Sequence, residues 1–87
     1  MQIKGFIKMN GYKANALKRQ TKKDALLSQL IIMMGKFNID YSLMSRLTGI
    51  KREVIKYGIQ HPDHISLERL QVIMNAVLDY IEMIRRS

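Results

Sequence analysis

Residues 40–60 read DYSLMSRLTGIKREVIKYGIQ, and the turn in the middle of this stretch decides the fold. Asp40 suits an N-cap, because its carboxylate can accept from the free amides of a following helix. Tyr41 to Thr48 then places Leu43, Met44 and Leu47 on one side of a short helix. Gly49 stands where a helix stops in the left-handed conformation that only glycine adopts without a Cβ penalty. From Lys51 to about Gln60 a helical period resumes, with Ile55 and Ile59 four apart. Pro62 closes it, and His61 before the proline is biased away from helix. Counted from Gly49, an apolar residue lies five before (Met44), a small one four before (Ser45), an apolar one directly after (Ile50) and another six after (Ile55). The small residue lets two helices approach, the glycine turns the chain, and the apolar positions make a shared mini-core.

The flanking chain supplies the rest of that core. Upstream, Thr21-Lys22-Lys23-Asp24 has the form of a capping box, followed by Leu27, Leu30, Ile31, Met34 and Phe37 at helical steps. Gly35 and Asn38 weaken and end this helix, and Ala14 to Gln20 contains no breaker, so an earlier start is open. Downstream, Ser66 caps a last helix with Glu68 in its first turn and Arg85 and Arg86 in its last, placements that suit the helix dipole. Leu70, Ile73, Val77, Ile81 and Ile84 form one apolar stripe on it, and Val72, Ala76, Tyr80 and Met83 a second. A chain of 87 residues covers two stripes with difficulty, so the second predicts either a second copy of the chain or an N-terminal hairpin packed over it. Met33, Met34, Met74 and Met83 sit at core spacing and are expected to fill gaps.

Residues 1–13 have a different rhythm. Ile3, Gly5, Ile7 and Met9 alternate with Gln2, Lys4, Phe6 and Lys8, and Asn10-Gly11 is a strong two-residue turn signal. This segment is expected to be either a β-hairpin over about 3–9 and 12–15 or a basic arm that orders on binding. Residues 1–20 are accordingly separated as an arm or hairpin from a domain over 21–87.

Charge follows the same division. Lys4, Lys8, Lys13, Lys18, Arg19, Lys22 and Lys23 give residues 1–23 a charge of +7 with no acid, while the remaining 64 residues carry only +1. A basic segment beside a nearly neutral body is the footprint of a protein that meets a polyanion; its blander use is solubility. Hydrophobic residues at 47% allow a core, though a modest one. Without cysteine there is no disulfide framework, thiolate zinc site or nucleophilic thiol. The longest apolar run, Leu30 to Met34, is too short for a membrane span, and no secretory signal follows the first lysines. The expectation is a soluble cytoplasmic, nucleoid-associated protein without membrane contact.

Asp40 to Leu78 resembles the helix-turn-helix family of phage repressors, Cro-like proteins and bacterial regulators. The resemblance rests on Leu43-Met44-Ser45-Arg46-Leu47-Thr48-Gly49-Ile50-Lys51-Arg52 with Val54-Ile55, and continues through Ile65-Ser66-Leu67-Glu68-Arg69-Leu70, Ile73 and Val77. It covers about half the chain, and the pattern is short and degenerate. One position departs from it. The family places an apolar residue nine after the turn glycine, where this chain has Gly58, which predicts a weakened, kinked or early-ending second helix.

What the resemblance implies is duplex DNA recognition by the helix starting at Lys51. The side opposite Ile55 and Ile59 carries Arg52, Glu53, Lys56, Tyr57 and Gln60, an inventory suited to base edges in a major groove. Lys51 at the helix entrance and Arg46 on the preceding helix suit phosphates, as do the seven basic residues of the N-terminal segment. The bland alternative is an ordinary solvated helix face. Tyr12 and Phe6 among the lysines would instead suit stacking on RNA or single strands.

Chemistry is otherwise sparse. His61, Asp63 and His64 invite a metal, but no second ligand cluster completes a site, so a loop reading is preferred and no metal or other cofactor is expected. The acids lie at caps and polar faces without a convergent pair, and an enzyme is not expected. The sequence thus predicts an all-α fold of four to five short helices containing a helix-turn-helix, with an N-terminal hairpin or basic arm. Its predicted role is a repressor-like DNA-binding regulator, a homodimer through the helix at 67–86. The alternatives are a phage-type protein-interaction module (inhibitor or antitoxin) on the same scaffold, or an RNA-binding protein using the arm.

Overall fold

The structure, a computed structural model, describes residues 11–87, with side chains from Lys18 onward. The described residues are all-α. Helix α1 spans Gly11–Lys36, α2 Tyr41–Thr48, α3 Arg52–Gln60 and α4 Leu67–Arg86, with a single 3-10 turn at Pro62–His64 between the last two.

The first helix is where expectation and structure part. It runs unbroken for 26 residues, so Thr21 to Asp24 lies inside a helix and does not start one. Without a breaker between Ala14 and Gln20, propagation costs less than opening a new helix at Thr21. Asp24 instead accepts from the Gln20 side-chain amide at 3.0 Å, one turn earlier. Residues 12–15, expected as the second strand of a hairpin, are helical as well; the expected first strand, 3–9, lies outside the described residues. Helical propagation from Tyr12 overrides the turn signal at Gly11, because a two-stranded hairpin gains little by itself. The basic residues Lys13, Lys18, Arg19, Lys22 and Lys23 are therefore carried on a helix. Gly35 does not end α1. The chain leaves it at Asn38, which takes a left-handed φ of 56°, while the Ile39 amide closes back on the Met34 carbonyl at 2.9 Å.

α4 is the centre of the core. Leu70, Ile73, Met74, Val77 and Ile81 are buried along it and meet Leu30 of α1, Met44 of α2, Ile55 and Ile59 of α3, and Ile39 and Ile65 from the connections. Ser66 caps α4 as the sequence predicts, its Oγ accepting from the Arg69 amide at 3.0 Å. Met83 does not fill the core. It is 58% exposed, and of the second stripe of α4 Val72 is exposed too at 52%, while Ala76 and Tyr80 are partly buried. Ile31, expected on the apolar side of α1, is half exposed too.

The N-terminal part of α1 is fastened to the start of α4 by an ion pair from the Arg19 guanidinium to Glu68. That hydrogen bond, with one from the residue's own backbone, holds the Glu68 carboxyl below the usual carboxylate range. Its contribution is present at neutral pH and is lost as the pH falls through that lowered value. Among the described residues no helix is long and apolar enough to cross a membrane.

Candidate nucleic-acid interface

Helices α2 and α3 meet at a turn whose parts are each held by a hydrogen bond. Asp40 accepts from the Leu43 amide at 2.8 Å and starts α2. Gly49 ends it with φ 77° and ψ 1°, its amide donating to the Ser45 carbonyl at 2.8 Å. Ser45 is more than a small residue between helices. Its hydroxyl donates to the Ile50 carbonyl at 2.7 Å, across the turn. Thr48 completes the staple, donating to the Met44 carbonyl at 2.8 Å and accepting from the Ile50 amide at 3.1 Å. Two hydroxyls thus satisfy backbone groups that the turn leaves outside either helix.

A Cβ built on Gly49 meets nothing within 4 Å, so substitution there acts through the backbone alone. Gly49→Ala should cost about 1 kcal/mol, and a β-branched residue more, read as a shift of the urea midpoint with an unchanged slope.

From this turn α3 leaves with Ile55, Gly58 and Ile59 buried. Gly58 does not end the helix. The helix continues to Gln60, and the glycine lets the following turn pack close: a Cβ at 58 would lie 3.0 Å from both Cβ and Cδ1 of Ile65. The departure from the family pattern is a close approach of chain to helix.

The outer side of α3 presents every residue expected there. Arg52, Glu53, Lys56, Tyr57 and Gln60 are exposed, as are Lys51 before the helix and Arg46 on α2. Arg52 is oriented across the motif. Its Nε donates to the Ser42 hydroxyl of α2 at 3.1 Å, and one terminal nitrogen lies 3.8 Å from the Glu53 carboxylate. The first contact leaves Nη2 unengaged among the described residues and Nη1 beside Glu53, so a fork onto the two acceptors of guanine requires the Glu53 pair to open.

Tyr57, half exposed, packs its ring against two imidazoles. The centroids lie 4.3 Å from His61 and 5.3 Å from His64, with the histidines 6.3 Å from each other. These histidines, expected only as part of a loop, form a ring cluster with Tyr57. The signal was the spacing, 57, 61 and 64, which stays on one side of a helix and its continuation. Among the described residues no group of three or more His, Asp and Glu is placed to hold a metal ion.

Of the basic N-terminal residues, Lys18, Arg19 and Lys22 come together around Leu67 at the start of α4. Lys23 is partly buried, Lys13 is placed on α1 by its backbone, and Lys4 and Lys8 lie outside the described residues. A search of known family models, curated proteins and solved structures finds no match to this chain.

Proposed function

We propose that this protein is a sequence-specific duplex DNA-binding regulator, a helix-turn-helix protein that reads the major groove with α3. The observation that carries the reading is the division of α3. Ile55, Gly58 and Ile59 anchor it, while Arg52, Glu53, Lys56, Tyr57 and Gln60 are exposed on its other side. The Ser42 contact that orients Arg52 supports this reading over an ordinary solvated face. Arg52 and Lys56 are assigned to guanine edges, Gln60 to adenine and Glu53 to the cytosine amino group, with Lys51 and Arg46 on phosphates.

The reading includes a homodimer. Val72 and Met83 are exposed, and Leu47 of α2 joins Ala76, Asp79, Tyr80 and Met83 of α4 around a groove of about 250 Å³. A second copy seated on this face would present two α3 helices related by a two-fold axis, the arrangement that reads a palindrome. Met83→Glu should convert the dimer to a monomer in sedimentation equilibrium without lowering the urea midpoint, since the side chain is already exposed. An unchanged association state would remove this face from the interface. The DNA reading itself is tested by selection from a random duplex library, which should enrich a palindromic site that survives higher salt.

A further inference from the structure

Lys18, Arg19 and Lys22 of α1 and Leu67 of α4 line an open cleft of about 420 Å³ at the junction of the two helices. The three cations are not equivalent. Arg19 is committed to Glu68, and that pair holds the two walls together. Among the described residues neither Lys18 nor Lys22 has an acid within ion-pair distance. They stand four apart on one side of α1, where like charges repel. A pair of uncompensated lysines over an apolar floor, braced by a satisfied arginine, has the charge and shape to take an anion and none to take a cation.

Its place along the chain says which anion. His64 packs on Tyr57 at the C-terminal end of α3, and Leu67 follows three residues later, so no more than about 11 Å of chain separates the two. The cleft at Leu67 is thus close along the chain to the end of α3. We infer that the Lys18–Lys22 cleft is a second seat for the nucleic-acid backbone, taking phosphodiester groups next to the stretch that α3 reads, with Arg19 as a positioning residue and not a phosphate ligand. The inference rests on the duplex-binding reading for its occupant. It narrows the seven basic residues of the N-terminal segment to two that bind at a defined place.

The test is the salt dependence of duplex binding for four forms of the full chain. The first three are wild type, Lys18→Ala/Lys22→Ala, and a control of equal net charge, Lys36→Ala/Arg85→Ala. The control positions lie about 20 Å or more along α1 and α4 from the cleft. The log–log slope should fall by about 2 in the cleft variant, a loss of roughly tenfold at 50 mM relative to 200 mM salt, and by much less in the control. The fourth form, Glu68→Gln, breaks the brace and frees Arg19; the slope should not rise, and a rise of about 1 would overturn the positioning role by making Arg19 a phosphate ligand.

Equal losses in the cleft variant and the control would overturn the inference, because the effect would then be diffuse charge. So would an unchanged slope in the cleft variant. Retained site selection with an unchanged slope sinks the cleft and leaves α3 reading intact. A slope that falls by 2 on every duplex, without selection by any form, sinks the α3 reading and keeps the cleft. If no duplex binds at all, both fail.

Discussion

Replacing Arg52 and Lys56 together by alanine is expected to abolish selective DNA binding while leaving the protein folded. Each well-formed contact to a base edge discriminates by about 1–3 kcal/mol, so the pair is worth roughly 30-fold to 10⁴-fold between the preferred and a scrambled site. Both side chains are exposed, and loss of the Arg52–Ser42 hydrogen bond at the surface should change stability by less than about 1 kcal/mol. Competition binding with the selected and the scrambled duplex checks it, alongside a urea melt. Under the alternative of a protein-interaction module, the same variant keeps its partner and loses nothing that matters. Ser42→Ala gives a graded version. It leaves the guanidinium but removes its orienting acceptor, so selectivity should fall several-fold with little change in binding to random duplex.

The second large effect is at Gly58. An apolar side chain is what the resemblance to the helix-turn-helix family would place there, yet Gly58→Leu is expected to destabilise the protein by about 2–3 kcal/mol. The reason is local. The first added carbon already meets Ile65 Cβ and Cδ1 at 3.0 Å, and Cβ is the branched root of that side chain, which cannot swing away. For a domain of this size the loss is a drop of roughly 10–20 °C in melting temperature. Gly58→Ala should fall much nearer to wild type, because a gain of about 1 kcal/mol in helix propensity opposes the crowding. Adding Ile65→Ala to Gly58→Leu should recover part of the loss relative to the sum of the two single changes.

These two positions also show what was legible in the sequence. The turn was, because Asp40, Gly49 and Ser66 each act on backbone within four residues of themselves, and local chemistry is written locally. The outer face of α3 was legible for the same reason: burial of Ile55 and Ile59 fixes which side its neighbours take. Gly58 was misjudged because its partner, Ile65, comes from beyond a proline turn whose path no periodicity gives. The N-terminal error had another source. A two-residue turn signal at Asn10-Gly11 competed with helix propensity from Tyr12 onward, and the longer helix won over residues 12–15. The pairing of Arg19 with Glu68, 49 residues apart, has no sequence signature at all, and with it the cleft around Lys18 and Lys22.

The most direct test of the account is selection of the purified full chain on a random-sequence duplex library, followed by sequencing, at two salt concentrations. The account predicts enrichment of a palindromic site, with half-sites about one helical turn or a multiple of it apart, that survives the higher salt and disappears with Arg52→Ala/Lys56→Ala. Binding that is tight at low salt, lost at high salt and never enriched for a sequence would contradict it, leaving only the affinity of a basic protein for a polyanion.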